Sequence, residues 1–130
     1  METDQNFIVQ EVLEKTTAWL NETRVHNLLQ NNEVSAIVKT RTDYEYKLLA
    51  TRRTKDIYLR YVQYELNLLT LVKTRMEKLG IRMLDRHLDA LRHVESIFKR
   101  AIRMDPKDVY MWKTFIDFSV KYNFRVSDAL

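Results

Sequence analysis

Residues 56–79, DIYLRYVQYELNLLTLVKTRMEKL, carry Tyr58, Tyr61, Val62, Leu69, Val72, Met76 and Leu79 at helical spacing. No Gly or Pro interrupts them, so the spacing predicts one long helix with a continuous apolar stripe. A second stripe of Ile57, Tyr64, Leu68 and Leu71 lies beside the first. A helix apolar over that much of its girth must pack against neighbours on more than one side. It is expected to be the central helix of a stack.

The same reading places helices on either side. Residues 3–21 predict a first helix with Thr3 or Asp4 as its cap and Ile8, Val12, Leu13, Trp19 and Leu20 on one face. The polar run NETRVHN is expected to break it, with Asn27 in the left-handed region. A second helix runs from Glu33 to about Arg53, capped by Asn31 or Asn32, with a stripe of Val34, Ile37, Val38, Arg41, Tyr44 and Leu48. The basic elbow Arg52-Arg53-Thr54-Lys55 then leads to Asp56 as cap of the central helix. Gly80, the single glycine, stands where a left-handed C-cap is wanted. After a connector over residues 81–86, residues 87–104 form a helix with Leu91, Val94, Phe98, Ala101 and Ile102 inward. Asp105-Pro106 stops it, and Asp108 caps a last helix over residues 109–122. The fold class is therefore all-α, with about five helices and no strands.

The aromatic spacing of the central helix returns. Tyr58, Tyr61 and Tyr64 are matched by Trp112, Phe115 and Phe118, each 54 positions on, and Val62 by Ile116. Phe98, Ala101 and Pro106 precede the second set. In a tetratricopeptide repeat a Phe, an Ala and a Pro close the second helix and the next repeat opens with Trp. A bulky Ile116 in place of the expected small residue resembles the half-a-tetratricopeptide (HAT) variant. The expected architecture is an antiparallel HAT-like α-solenoid. Residues 1–55 form an N-terminal helical region, residues 56–106 a first repeat and residues 107–130 the start of a second. Ser127 looks like the cap of a further helix, so residues 126–130 are expected to pack poorly and to leave part of the Trp112 and Phe115 face open. A longer repeat array, or a truncated relative that leans on a partner, is the implied context.

Three longer stretches carry a more specific resemblance: AIVKTRTDYEYKL at residues 36–48, YLRYVQYELNL at 58–68 and IFKRAIRMDPKDVYMWKTFIDF at 97–118. In order and spacing they resemble the N-terminal region of the U3 small nucleolar RNA-associated protein 6 family. Ile37, Val38, Lys39, Arg41, Tyr44, Glu45 and Tyr46 are the family-like positions ahead of the repeats. The resemblance implies a non-enzymatic scaffold of the nucleolar small-subunit processome, in pre-18S ribosomal RNA processing. Its implied partners are other processome proteins, among them a β-propeller (WD-repeat) subunit or its extended tail, with pre-ribosomal RNA or U3 small nucleolar RNA also in reach. The first helix departs from the family: TTAWL replaces its usual proline and acidic residues, and Asn27 replaces a common glycine.

Composition narrows the chemistry. The 130 residues include no Cys, which excludes a disulfide framework and a thiolate site. No apolar run is long enough to span a bilayer, and residues 1–30 lack the pattern of a secretory signal, so a soluble intracellular protein with no membrane partner is expected. The net charge is +4, with an acidic front (five acids against two bases in residues 1–30) and a basic middle (seven bases against four acids in residues 31–60).

Catalysis has no foothold. Asp43 and Glu45 lie two apart, on different sides of a helix, and no phosphate loop or nucleophile elbow occurs. Ser35, Ser96, Ser119 and Ser127 fall in helices or at a cap. His87 and His93 are six apart and His26 is remote, whereas helix-borne metal ligands want a spacing of three or four. Asp89 and His93 at i, i+4 read as a surface hydrogen bond. No catalytic residue, cofactor, metal or small-molecule substrate is expected.

Two features remain. Glu65 falls on the apolar stripe and needs a cation or tyrosine hydroxyls there, with Arg41 as the expected partner. Lys39, Arg41, Arg52, Arg53, Lys55 and Arg60 cluster along residues 39–60 near Tyr46 and Tyr58. Arg52, Arg53, Lys55 and Arg60 are the candidate contacts to RNA or to an acidic partner. Three functions follow: a protein-binding scaffold, a direct RNA-binding module using residues 39–60, or a HAT-repeat scaffold of another RNA-processing complex.

Overall fold

The computed structural model describes residues 2–50 and 54–125. Among the described residues five helices follow in order: α1 (Glu2–Val25), α2 (Asn31–Leu49), α3 (Lys55–Leu79), α4 (His87–Met104) and α5 (Val109–Lys121). No strand occurs among the described residues.

The chain runs up and down. α1 packs on α2 and α4, α2 on α3, and α3 on α4, which closes four antiparallel helices into a ring; α5 lies along α4. One apolar cluster joins all five, from Trp19 and Leu20 through Ile37, Leu48, Tyr61 and Val62 to Phe98, Phe115 and Phe118. The N-terminal region thus shares its core with the segment that follows. α3 and α4 are antiparallel, and Tyr61, Val62 and Phe98 are all buried.

Local signals explain most boundaries. Gly80 adopts φ 71°, and the Ile81 N–H donates to the Met76 carbonyl, closing α3 as a glycine C-cap does. Asp108 Oδ1 accepts from the Met111 N–H at 3.2 Å and starts α5. Asn27 has φ 60°, as expected.

Other boundaries moved. α1 does not stop at Asn21 but continues to Val25: within NETRV Thr23 turns inward, fully buried, with its hydroxyl bonded to its own helix. Thr3 and Asp4 lie inside α1, not at its cap. Its buried face is Val9, Thr16, Trp19, Leu20 and Thr23, whereas Ile8 is 45% exposed. The threonines can be buried because each hydroxyl donates to its own helix, Thr16 to the Leu13 carbonyl and Thr23 to the Leu20 carbonyl, both at 2.7 Å. α2 starts at Asn31, where Glu33 accepts from the Gln30 N–H at 2.9 Å, and it ends at Leu49. Thr54, not Asp56, precedes α3; Asp56 sits in the first turn, where a carboxylate suits the helix dipole. Leu71, Leu79 and Val38, assigned to stripes, are exposed.

Candidate functional site

A chain of polar side chains crosses the core. Arg41 on α2 is buried, and its Nε–H and Nη2–H donate to Glu65 Oε2 and Oε1 at 2.9 and 2.7 Å. Its Nη1 has no hydrogen-bond partner among the described residues, and its guanidinium carbon stands 5.9 Å from the centre of the Trp19 ring. Burial alone would raise the pKa of Glu65, but the charges of Arg41 and His93 and their hydrogen bonds outweigh it and hold it at about 2. At Arg41 burial opposes the charged form, and Glu65 overcomes that, so its pKa is raised.

The chain continues into α4. His93 Nε2 lies 3.5 Å from Glu65 Oε2 and 3.3 Å from the Tyr61 hydroxyl. That hydroxyl donates its only proton to Glu45 Oε2 at 2.7 Å, so Nε2 of His93 must carry the proton it shares with its neighbours. Burial first, and then Glu45 and Glu65, push the Tyr61 pKa far above its ordinary value and keep the phenol neutral. Arg100 closes the sequence with Nη1 and Nη2 donating to Glu45 at 2.7 and 3.0 Å. Burial opposes the Arg100 charge, yet the hydrogen bonds to Glu45 raise its pKa. Tyr44 stacks on Tyr61, ring centres 4.7 Å apart and 8° from parallel.

Of the repeat-like residues, Tyr58, Tyr61, Glu65, Phe98, Ala101, Phe115 and Phe118 are buried, while Tyr64 and Trp112 are half-buried. Pro106 is exposed, and its carbonyl accepts from Trp112 Nε1–H at 3.0 Å. Phe115 is not part of an open face: it is 2% exposed and stacks on Phe98 at 5.0 Å. The open apolar stripe of α5 is formed instead by Val109, Ile116 and Val120, at 78%, 57% and 75% exposure, with Trp112 between them. Residues 126–130, where poor packing was expected, lie outside the described residues.

Of the family-like positions, Ile37, Arg41 and Glu45 are buried, Tyr44 is half-buried, and Val38, Lys39 and Tyr46 are exposed. The Tyr46 hydroxyl donates to Asn6 Oδ1 and ties α2 to α1.

The described basic residues along 39–60 have different surroundings. Arg41 belongs to the core, and Arg52 and Arg53 lie outside the described residues. Lys55 Nζ meets Asp108 Oδ2 at 2.8 Å, and Arg60 Nε meets Asp56 Oδ2 at 2.8 Å. The Lys55 hydrogen bond is the main reason that the Asp108 pKa is lowered. Tyr58 is buried, so its ring is no base-stacking platform.

Three participants escaped the sequence reading. His93 is no surface partner of Asp89 but a buried member of the polar chain. Glu45 and Arg100 had no assigned ionic role. The missed signal was phase: Glu45 follows Arg41 by one helical turn, and His93 lies on the stripe of Ala90, Val94 and Ile97.

This chain surfaces in a cleft of about 700 Å³ formed by α1, α2, α4 and the first turn of α3. Its carbon-rich lining comes from Ile8, Val12, Leu48, Leu49 and Tyr58. Its cations are Lys15, Arg92, Lys99, Arg100 and Arg103, against Glu45 and Asp89. Among the described residues, no group of three or more His, Asp or Glu could hold a metal ion, and no helix is long and apolar enough to cross a membrane.

The described residues form an all-α arrangement of antiparallel helices, with a polar chain through the core and an exposed apolar edge on α5. The profile described as U3 small nucleolar RNA-associated protein 6 matches residues 13–101, and the chain belongs to that family. It is similar to the U3 small nucleolar RNA-associated protein 6 homolog of Homo sapiens, 30% identical over 117 residues, which cover 88% of this chain and 20% of the relative. The Schizosaccharomyces pombe protein of that name is 30% identical over 115 residues, 87% of this chain and 24% of its own length. The Dictyostelium discoideum homolog is 28% identical over 116 residues, 89% of this chain and 18% of its own. The chain thus matches about a fifth of the length of these curated relatives.

Proposed function

We propose that this chain is a non-enzymatic scaffold in small-subunit ribosome biogenesis, acting in pre-18S ribosomal RNA processing through protein–protein contacts. Family membership supports the process. The open α5 stripe of Val109, Ile116 and Val120 is the observation that carries the scaffold mechanism, because an exposed apolar row along a helix is what a neighbouring helix or partner covers. In this reading residues 56–106 form a first HAT-like repeat and residues 107–130 begin a second, after an N-terminal region of residues 1–55. The partners are processome proteins of the nucleolus, among them a WD-repeat β-propeller subunit or its extended tail.

The elbow supports direct RNA contact less well, because Lys55 and Arg60 already have carboxylate partners. A HAT scaffold of another RNA-processing complex is disfavoured by the match over residues 13–101. Affinity purification of the chain, with identification of bound proteins and RNA, tests the reading. Retention of small-subunit processome proteins after nuclease treatment is the expected result; recovery of RNA alone would overturn it.

A further inference from the structure

We propose that the cavity at the ends of α3 and α5 receives one apolar side chain of a partner protein, flanked in that partner by carboxylates. The inference rests on the scaffold reading above and adds a second location and a chemistry to it. Val109, Ile116 and Val120 of the α5 stripe do not line this cavity. Leu69, Val72 and Met76 recur at helical spacing on α3, and Trp19 of α1 and Leu84 of the connector complete a carbon-rich lining. Asn123, in the left-handed region at φ 47°, ends α5 and lines the cavity beside Lys121 and Tyr122. Met83 also lines it while 69% exposed, and its flexible thioether can adapt to a guest. The volume is about 270 Å³. Ligand pockets run from about 300 to 1,000 Å³, so this one suits a single bulky side chain rather than a folded surface.

The charges around it have one sign. Lys73, Arg82 and Lys121 line the cavity and are exposed, and no carboxylate lines it. Lys73 and Arg82 make no hydrogen bond or ion pair among the described residues. Lys121 stands 5.6 Å from the centre of the Tyr122 ring and has no carboxylate partner there. Glu77, Asp85 and Asp117 are near in sequence, yet none of them pairs with these cations among the described residues. Glu77 lines an adjoining depression instead. Burial lowers the His87 pKa, so that ring is not counted with the cations. Apolar walls with cations at the mouth complement a leucine set among aspartates.

RNA fits this site less well. Bases stack on open aromatic faces, and Trp19 is 2% exposed. Tyr122 is half-buried, with Lys121 over its ring and the Phe118 ring centre 5.3 Å away.

The test is fluorescence anisotropy on the full chain with labelled probes. The first is a glycine–serine peptide that carries one leucine between two pairs of aspartates. Two controls replace the aspartates by asparagine or the leucine by glycine, and a third probe is an oligouridylate. The first peptide should bind, and each peptide control should bind at least about tenfold more weakly. Lys73→Ala/Arg82→Ala should lose a similar factor, and Met83→Glu should also weaken binding. Lys39→Ala/Lys113→Ala removes as many charges from exposed residues outside the cavity and should change nothing. Lys73→Glu/Arg82→Glu should bind the same peptide with lysine for aspartate better than wild type does. Absence of binding, equal binding of the three peptides, or indifference to the cavity variants overturns the proposal. Tighter binding of the oligouridylate, lost in Lys73→Ala/Arg82→Ala, overturns it in favour of RNA. Purifying partners on wild type and on that double variant separates this proposal from the scaffold reading. Proteins retained on both, with no peptide binding, sink the cavity alone. No protein retained on wild type sinks the scaffold reading, whatever the peptide does.

Discussion

Arg41 of α2 and Glu65 of α3 meet inside the core through two hydrogen bonds, one to each carboxylate oxygen, and each residue is 2% exposed. Taking both charges out of water costs several kcal/mol, which their attraction only roughly offsets. The pair therefore adds little net stability, but breaking it strands a buried charge. Glu65→Ala is expected to destabilise by ~3–5 kcal/mol, and Arg41→Met/Glu65→Leu to recover most of that loss. Urea unfolding of the single and double variants checks this. A double variant no more stable than the single would show that the pair itself, not the stranded charge, supplies the stability.

The same pair sets an acid limit. The folded-state pKa of Glu65, about 2, is below its ordinary value of 4.5, so the unfolded chain binds its proton first as pH falls. Stability from this carboxylate is fully present above 4.5 and is lost as pH drops from there through about 2. The loss is on the order of a few kcal/mol for a shift of this size. Melting temperatures across that window should fall more steeply for wild type than for Glu65→Gln, which has no proton to gain. Parallel curves would assign the acid sensitivity to other carboxylates.

How much of this was legible depended on whether polarity and burial agreed. α3 and α4 were readable almost to the residue, since Tyr61, Val62, Val72, Val94 and Phe98 are apolar and inward. Arg41 and Glu65 could be paired in advance because each interrupts an apolar stripe. The phase of α1 was not legible, because Thr16 and Thr23 occupy its inward face and satisfy their hydroxyls locally. Glu22 shows another limit. It accepts from the Asp85 and Arg86 backbone N–H groups at 2.7 and 2.8 Å, capping α4 from α1. Nothing local in either segment marks a contact that exists only once the ring closes.

Phe98 is the hinge of the aromatic packing between α4 and α5. It is fully buried and lies 5.0 and 5.6 Å, ring centre to ring centre, from Phe115 and Phe118. Phe98→Ala should cost ~3–5 kcal/mol, as truncation of a buried aromatic does. Ile116→Ala, at a residue 57% exposed, should stay within ~0.5 kcal/mol. Equal costs in thermal unfolding would mean that α5 is covered on both faces in solution.

The elbow separates protein from RNA as the main partner. Lys55 is already engaged with Asp108, and its own side chain is exposed to solvent and salt that screen the pair, so its removal should leave α3 and α5 in place. Arg52→Ala/Arg53→Ala/Lys55→Ala is expected to keep the helical circular dichroism of wild type and to retain the same co-purifying proteins. If phosphates were the principal ligand, affinity for a single-stranded RNA would fall with salt at a slope near −0.7 per contact, as counterions are released. Binding through an apolar stripe or a carbon-lined cleft changes much less with salt. A pull-down and an RNA titration at two salt concentrations, on wild type and triple variant, distinguish these outcomes. Loss of the protein partner in the triple variant would place the elbow within the protein-binding surface. Tight, salt-steep RNA binding by wild type, abolished in the triple variant, would make RNA the ligand of residues 39–60 and displace the scaffold reading there.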